Sequence, residues 1–92
     1  VYDGIQYLRG VRGQPEMGPG PGACARVSCD TGTSIWWCND DSQDKTLDGF
    51  GSIADGAGQI QWKCSWGAFG QWTSGQIFHK TGWNVIVRAD DC

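Results

Sequence analysis

The sequence predicts an α+β domain in which a mainly antiparallel sheet of about five strands carries one principal helix and is stapled by disulfides. Three observations lead there. Apolar residues recur at steps of three and four from Leu47 to Cys64, and short alternating runs flank that stretch. Five cysteines are spread across a chain of 92 residues. Residues 1–92 are read as a single domain, since domains run from about 50 to 250 residues. A chain this short buries only roughly 60–65% of its unfolded surface, so cross-links are expected to support the core.

Taken in order, residues 1–12 carry Tyr2, Ile5, Tyr7, Leu8 and Val11 between Gly4 and Gly10 and read as a short β-like stretch. Residues 13–22 hold prolines 15, 19 and 21 among four glycines, which favours an irregular crossing loop. Ala23 to Cys29 and Ser34 to Cys38 read as a hairpin turning at Asp30-Thr31-Gly32-Thr33. Strict alternation would set Ala25, Val27 and Cys29 on one face, with Ile35 and Trp37 sharing a face of the partner strand. Trp36 and Trp37 then point opposite ways. The helix carries Leu47, Phe50, Ile53, Ala54, Ala57, Ile60 and Cys64 along one side, with Thr46 or Asp48 as its cap. Gly49, Gly51, Gly56 and Gly58 oppose it by roughly 0.5–1 kcal/mol each, so it needs a sheet to pack on. Ser65 to Gly75 is aromatic and glycine-rich, a loop. Gln76 to His79 and Asn84 to Arg88 form a second hairpin, turning at Lys80-Thr81-Gly82-Trp83.

Composition excludes several functions. Seven basic residues against ten acidic ones give a net charge of −3, a poor basis for neutralising phosphates, so no nucleic-acid partner is expected. The longest aliphatic run is Val85-Ile86-Val87, far below the roughly 20 residues of a spanning helix, so no membrane insertion is expected. The start at Val1 rather than Met is what removal of a signal peptide, or trimming of the chain, would leave.

Cys24, Cys29, Cys38, Cys64 and Cys92 lack the C-x-x-C spacing of zinc or redox motifs, and His79 is the single histidine. Disulfides in an oxidising, extracellular compartment are the better reading, with one thiol left over and the pairing open. Cys64 could staple the helix, and Cys92 could tie down the C-terminus. Asp44 to Asp55 places oxygen-bearing residues roughly as a calcium loop does, but Thr46, Gly51 and the short Asp55 depart from that pattern. A capped helix uses the same residues more simply. No metal and no cofactor are expected.

Six tryptophans and two tyrosines make sugar binding the leading chemistry. An aromatic face matches the C–H face of a pyranose, and neighbouring amides, carboxylates or imidazole can bond its hydroxyls. Most of the tryptophans are expected in the core. Trp66 and Trp72 are the predicted stacking platforms, with Trp83 and Trp36 behind them. Gln71, His79, Asn84 and Asp40 are the predicted hydrogen-bonding partners. Catalysis is not expected, because nothing singles out a pair among the ten acids for glycosidase work. A lone His79 with Arg88 on the next strand is weak evidence for a hydrolase.

Gly18-Pro19-Gly20-Pro21-Gly22-Ala23-Cys24-Ala25-Arg26-Val27-Ser28-Cys29, then Ser34-Ile35-Trp36-Trp37-Cys38-Asn39-Asp40, resembles small secreted cysteine-containing proteins of fungi. Ser52-Ile53-Ala54-Asp55-Gly56-Ala57 to Cys64, and Gly82-Trp83-Asn84-Val85-Ile86-Val87 to Cys92, extend the likeness, which covers residues 18–92. Within that group it is most similar to the ink-cap mushroom type of fungal lectin. The resemblance implies a secreted single-domain α/β sandwich that binds N-acetylgalactosamine-type glycans or glycoproteins, with sheets joined across a homodimer. Other members of the wider group imply the alternative, a cysteine-stapled effector or killer-toxin-like antimicrobial protein acting on a protein or membrane target.

Overall fold

The structure is a computed structural model describing residues 2–20, 22–30, 32–66 and 72–92, with the side chains of Tyr2, Asp30, Ser65, Trp66, Trp72 and Thr73 outside the described set. Its elements are α1 (Tyr2–Gly10), β1 (Glu16–Met17), β2 (Ala23–Asp30), β3 (Thr33–Asn39), β4 (Lys45–Thr46), α2 (Phe50–Cys64), β5 (Ser65–Trp66), β6 (Trp72–Thr73), β7 (Gly75–His79) and β8 (Trp83–Ala89). The predicted α+β class is present. Strands β2-β3-β8-β7 form a four-stranded antiparallel sheet, and β1-β4 and β5-β6 are two-residue ladders.

Period-2 alternation makes the sheet amphipathic. On β3, Ile35 and Trp37 are buried toward the helices, and on β8 so are Trp83, Val85 and Val87. They meet Ile53, Ala54, Ala57 and Ile60 of α2, spaced one, three and three apart as one helical face requires. Gly49 precedes the first turn, where the Ser52 amide donates to its carbonyl at 3.2 Å. Thr46, one of the predicted caps, belongs to β4 instead.

Residues 2–10 are a helix rather than the predicted strand, which leaves four strands in the sheet instead of about five. Ile5 and Leu8, three apart, are buried in the core, with Asp3 in the first turn and Arg9 in the last, as the helix dipole favours. A nine-residue helix with two glycines is not stable alone, so its conformation is set by what it packs on. Gly4 permits the contact: a Cβ there would come 2.6 Å from Ser28 Oγ on β2. Arg9 Nη1 bonds Asp55 Oδ1 of α2 at 2.8 Å, an exposed pair that orients more than it stabilises.

A β-bulge between Arg26 and Ser28 corrects the predicted alternation of β2. Ala25 opposes Trp37 and Ser28 opposes Ile35 on the helix side, so Cys29, opposite Ser34, falls on the other face. There it bonds Cys92, while Cys24 bonds Cys38 directly across the hairpin. Cys64 is the free cysteine and staples nothing. It lies in the helix layer against Gly75, where a Cβ would meet its Sγ at 3.1 Å, whereas the other four gather on the opposite sheet face and the tail. The tail is further held by the Asp90 amide on the Gly32 carbonyl at 3.0 Å and by Arg26 on the Asp90 carboxylate at 3.4 Å. The Ser34 hydroxyl, then the Asp91 amide and Arg26, hold the Asp90 carboxyl below its ordinary pKa.

The crossing loop is anchored rather than loose. Buried Asn39 donates to the carbonyls of Gly18 at 2.9 Å and Gln43 at 2.8 Å, and accepts from the Asp41 amide at 2.9 Å.

Two glycines of α2 test how closely the layers meet. A Cβ on Gly56 would come 2.9 Å from Val85 Cγ2, and Val85 is buried and stiff at χ1. One on Gly58 would meet nothing within 4 Å. Gly58→Ala is therefore expected to stabilise by roughly 0.5–1 kcal/mol through helix propensity. Gly56→Ala should lose about 1–2 kcal/mol, because overpacking outweighs the same gain. Urea unfolding of the pair checks both signs.

Candidate binding cleft

The β7–β8 hairpin sets the cleft. Its turn passes through Gly82 at φ 83°, a left-handed conformation that glycine adopts freely, and the Gly82 amide closes on the His79 carbonyl at 3.2 Å. Thr81 Oγ1 accepts from Trp83 Nε1 at 2.9 Å and pairs with His79 Nδ1 at 3.1 Å. The His79 ring stacks on Trp83 with centroids 4.5 Å apart and planes 17° apart. Trp83 in turn meets Trp37 edge-on at 6.3 Å. A line of rings thus runs from the core to the surface, and its outer member is His79. Trp83, predicted as a second-rank aromatic of the site, is only 4% exposed and backs His79 instead.

Opposite this hairpin, Ser52, Asp55 and Gln59 project from α2 at spacings of three and four, so they form one polar stripe. The space between is a cleft of about 410 Å³. Gly56, Ile77 and Val85 line it with apolar surface, and Lys80 joins His79 on the hairpin side. Asp55 Oδ1 is engaged by Arg9, which leaves Oδ2 as an acceptor. The result is a concave site with a ring on one wall and hydrogen-bonding groups on the other.

The predicted site residues divide among three places. His79 and Trp83 meet in the cleft. Asn84, next to Trp83 on β8, points to the opposite face of the sheet, where its Nδ2 donates to Asp40 Oδ2 at 2.8 Å and its Oδ1 accepts from Gln76 at 2.8 Å. Asn84 is 2% exposed and committed to those bonds. Trp36 is on that face too, its Nε1 donating to Ser34 Oγ at 2.9 Å. Gln71 and the side chains of Trp66 and Trp72 lie outside the described residues. Sequence reading missed the α2 wall. Its three-and-four spacing was present as a polar stripe beside the apolar one, but which sheet edge it faces depends on packing.

Asp44 to Asp55 does not form one continuous calcium-type loop, since Lys45–Thr46 is β4 and α2 begins at Phe50. Among the described residues, no three His, Cys, Asp or Glu side chains gather where they could hold a metal ion. Among the same residues, no helix is long and apolar enough to cross a membrane. Comparison with family models, curated proteins and solved structures found no match to this chain.

Proposed function

We propose that the protein is a secreted, non-catalytic carbohydrate-binding domain of the fungal lectin kind, with a glycan seated between α2 and the β7–β8 hairpin. The observation that carries this reading is the exposed His79 ring, fixed by Trp83 and Thr81 across from Ser52, Asp55 and Gln59. A pyranose laid on His79 turns its C–H face to the ring and its hydroxyls to the α2 wall. The partly exposed Ile77 offers an apolar contact to the methyl of an acetamido group, which favours N-acetylgalactosamine-type glycans. Among the described residues, Asp55 is the one carboxylate lining the cleft and is already ion-paired, whereas glycoside hydrolysis uses two flanking carboxyl groups. The two disulfides suit an extracellular setting. A homodimer would bring two weak clefts to one glycosylated surface and raise avidity.

Titration calorimetry with N-acetylgalactosamine tests the cleft. His79→Ala and Gln59→Ala should each weaken binding about tenfold, the effect of one or two lost contacts. Melting temperatures should stay within a few degrees, since both side chains are exposed. Unchanged affinity in both variants would sink the assignment. The effector alternative draws on Trp62, 82% exposed on the outer side of α2. It requires target binding that free sugar does not compete and that Trp62→Ala abolishes.

A further inference from the structure

The sheet face turned away from the helices carries a second cluster that, Phe78 aside, does not line the cleft. Strand register aligns its side chains in rows. Arg26, Trp36, Ile86 and Gln76 lie side by side across all four strands, and Cys24, Cys38, Asn84 and Phe78 form the next row. Arg88 stands opposite Ser34, one row further along β8. Its guanidinium lies over the Trp36 ring, 4.7 Å from the centroid. Of the two arginines on this face, Arg26 is matched by Asp90, whereas Arg88 has no carboxylate partner among the described residues. In a chain of net charge −3, an exposed arginine placed over an indole, with no counter-ion among the described residues, is an unmatched charge.

We propose that this face holds a second subsite, centred on Arg88, for a carboxylate-bearing sugar. The inference rests on the carbohydrate-binding reading, but it centres on the opposite side of the sheet and shares only Phe78, at the β7 edge, with the cleft lining. The cation–π contact with Trp36 restrains the guanidinium, whose N–H groups can then meet a carboxylate as a fork. Preorganisation of this kind reduces what is lost on binding. Ile86, two residues along β8, and the neighbouring Phe78, 69% exposed, offer apolar surface to the sugar ring. Gln76, exposed in the same row as Ile86, can bond a hydroxyl. Steps of two residues along a strand span about 7 Å, so carboxylate, ring and hydroxyl contacts fall within one hexuronate or its immediate neighbour. With the cleft on the helix side, a single chain would present two glycan sites facing opposite ways.

The test is a ¹⁵N–¹H titration of the whole chain at low salt with glucuronate, glucose, acetate and N-acetylgalactosamine. Glucuronate should move the amides of Trp36, Ile86 and Arg88 and the Trp36 indole N–H, at least about tenfold more tightly than glucose or acetate. Arg88→Gln and Arg88→Lys should each lose that binding by about tenfold or more, since lysine keeps the charge but not the planar fork. Glucose or acetate binding as tightly as glucuronate would overturn the proposal, as would an undiminished response in Arg88→Lys. N-acetylgalactosamine reports separately on the amides of Asp55, Gln59 and His79. Silence there would reject the cleft, and the glucuronate response at Arg88 would still decide the second subsite.

Discussion

Serine at both Cys29 and Cys92 is expected to lower the stability of the domain by about 4 kcal/mol, the largest effect of any change to its covalent framework. The two half-cystines are 63 residues apart, so their bond closes just over two-thirds of the chain into a loop and removes that freedom from the unfolded state. The Cys24–Cys38 bond spans only 14 residues, and the same entropy gives about 3 kcal/mol. Cys29 is half-buried and Cys92 exposed, so serine introduces neither a cavity nor an unpaired buried group. At about 4–8 °C per kcal/mol for a domain of this size, Tm should fall by roughly 20 °C. Urea unfolding without reductant measures it. A loss below about 1 kcal/mol would mean that the unfolded chain is already restricted or that the closed loop is strained.

Leu8→Ala should be nearly as damaging, at about 2–5 kcal/mol. Leu8 is 0% exposed, and with Ile5 it is the apolar face by which α1 joins the core. Removing it leaves a cavity under a nine-residue helix that has little reason to stay helical without that contact. Tyr7→Ala, one position away but 62% exposed, should change stability by no more than about 0.5 kcal/mol. Thermal unfolding separates the two, and equal effects would mean that α1 does not dock through this face. Amide exchange gives the second readout, since Leu8→Ala should selectively deprotect residues 2–10.

The contrast between α1 and α2 explains what could be read from sequence. Along α2, Ile53, Ala54, Ala57 and Ile60 carry the 3.6-residue period over about two turns, and no strand could bury them together. Residues 23–30 with 33–39, and 75–79 with 83–89, alternate over enough positions to declare strands, and their turns contain the glycines that hairpins need. In α1 the period rests on Ile5 and Leu8 alone, among aromatic and aliphatic neighbours that suit a strand equally well. The bulge at Val27 was hidden for a different reason: it is a mismatch between two strands, and neither strand carries it by itself. That one extra residue moves Cys29 to the opposite face and thereby decides that it, and not Cys64, bonds Cys92.

The candidate sites follow the same division. His79 and Trp83 lie four apart across a tight turn, so local geometry is enough to bring their rings together, and both were nameable in advance. Trp36 and Arg88 are 52 residues apart in sequence and meet only through the β3–β8 register. By itself, the sequence determined the element types with strong periodicity, the turns and the need for disulfides, because each is legible in residue types and their local spacing. Tertiary structure decided the helical state of residues 2–10, the cysteine pairing, the α2 wall of the cleft and the arginine cluster behind the sheet. Each of those depends on which distant residues share a face, and burial of the common core selects that arrangement.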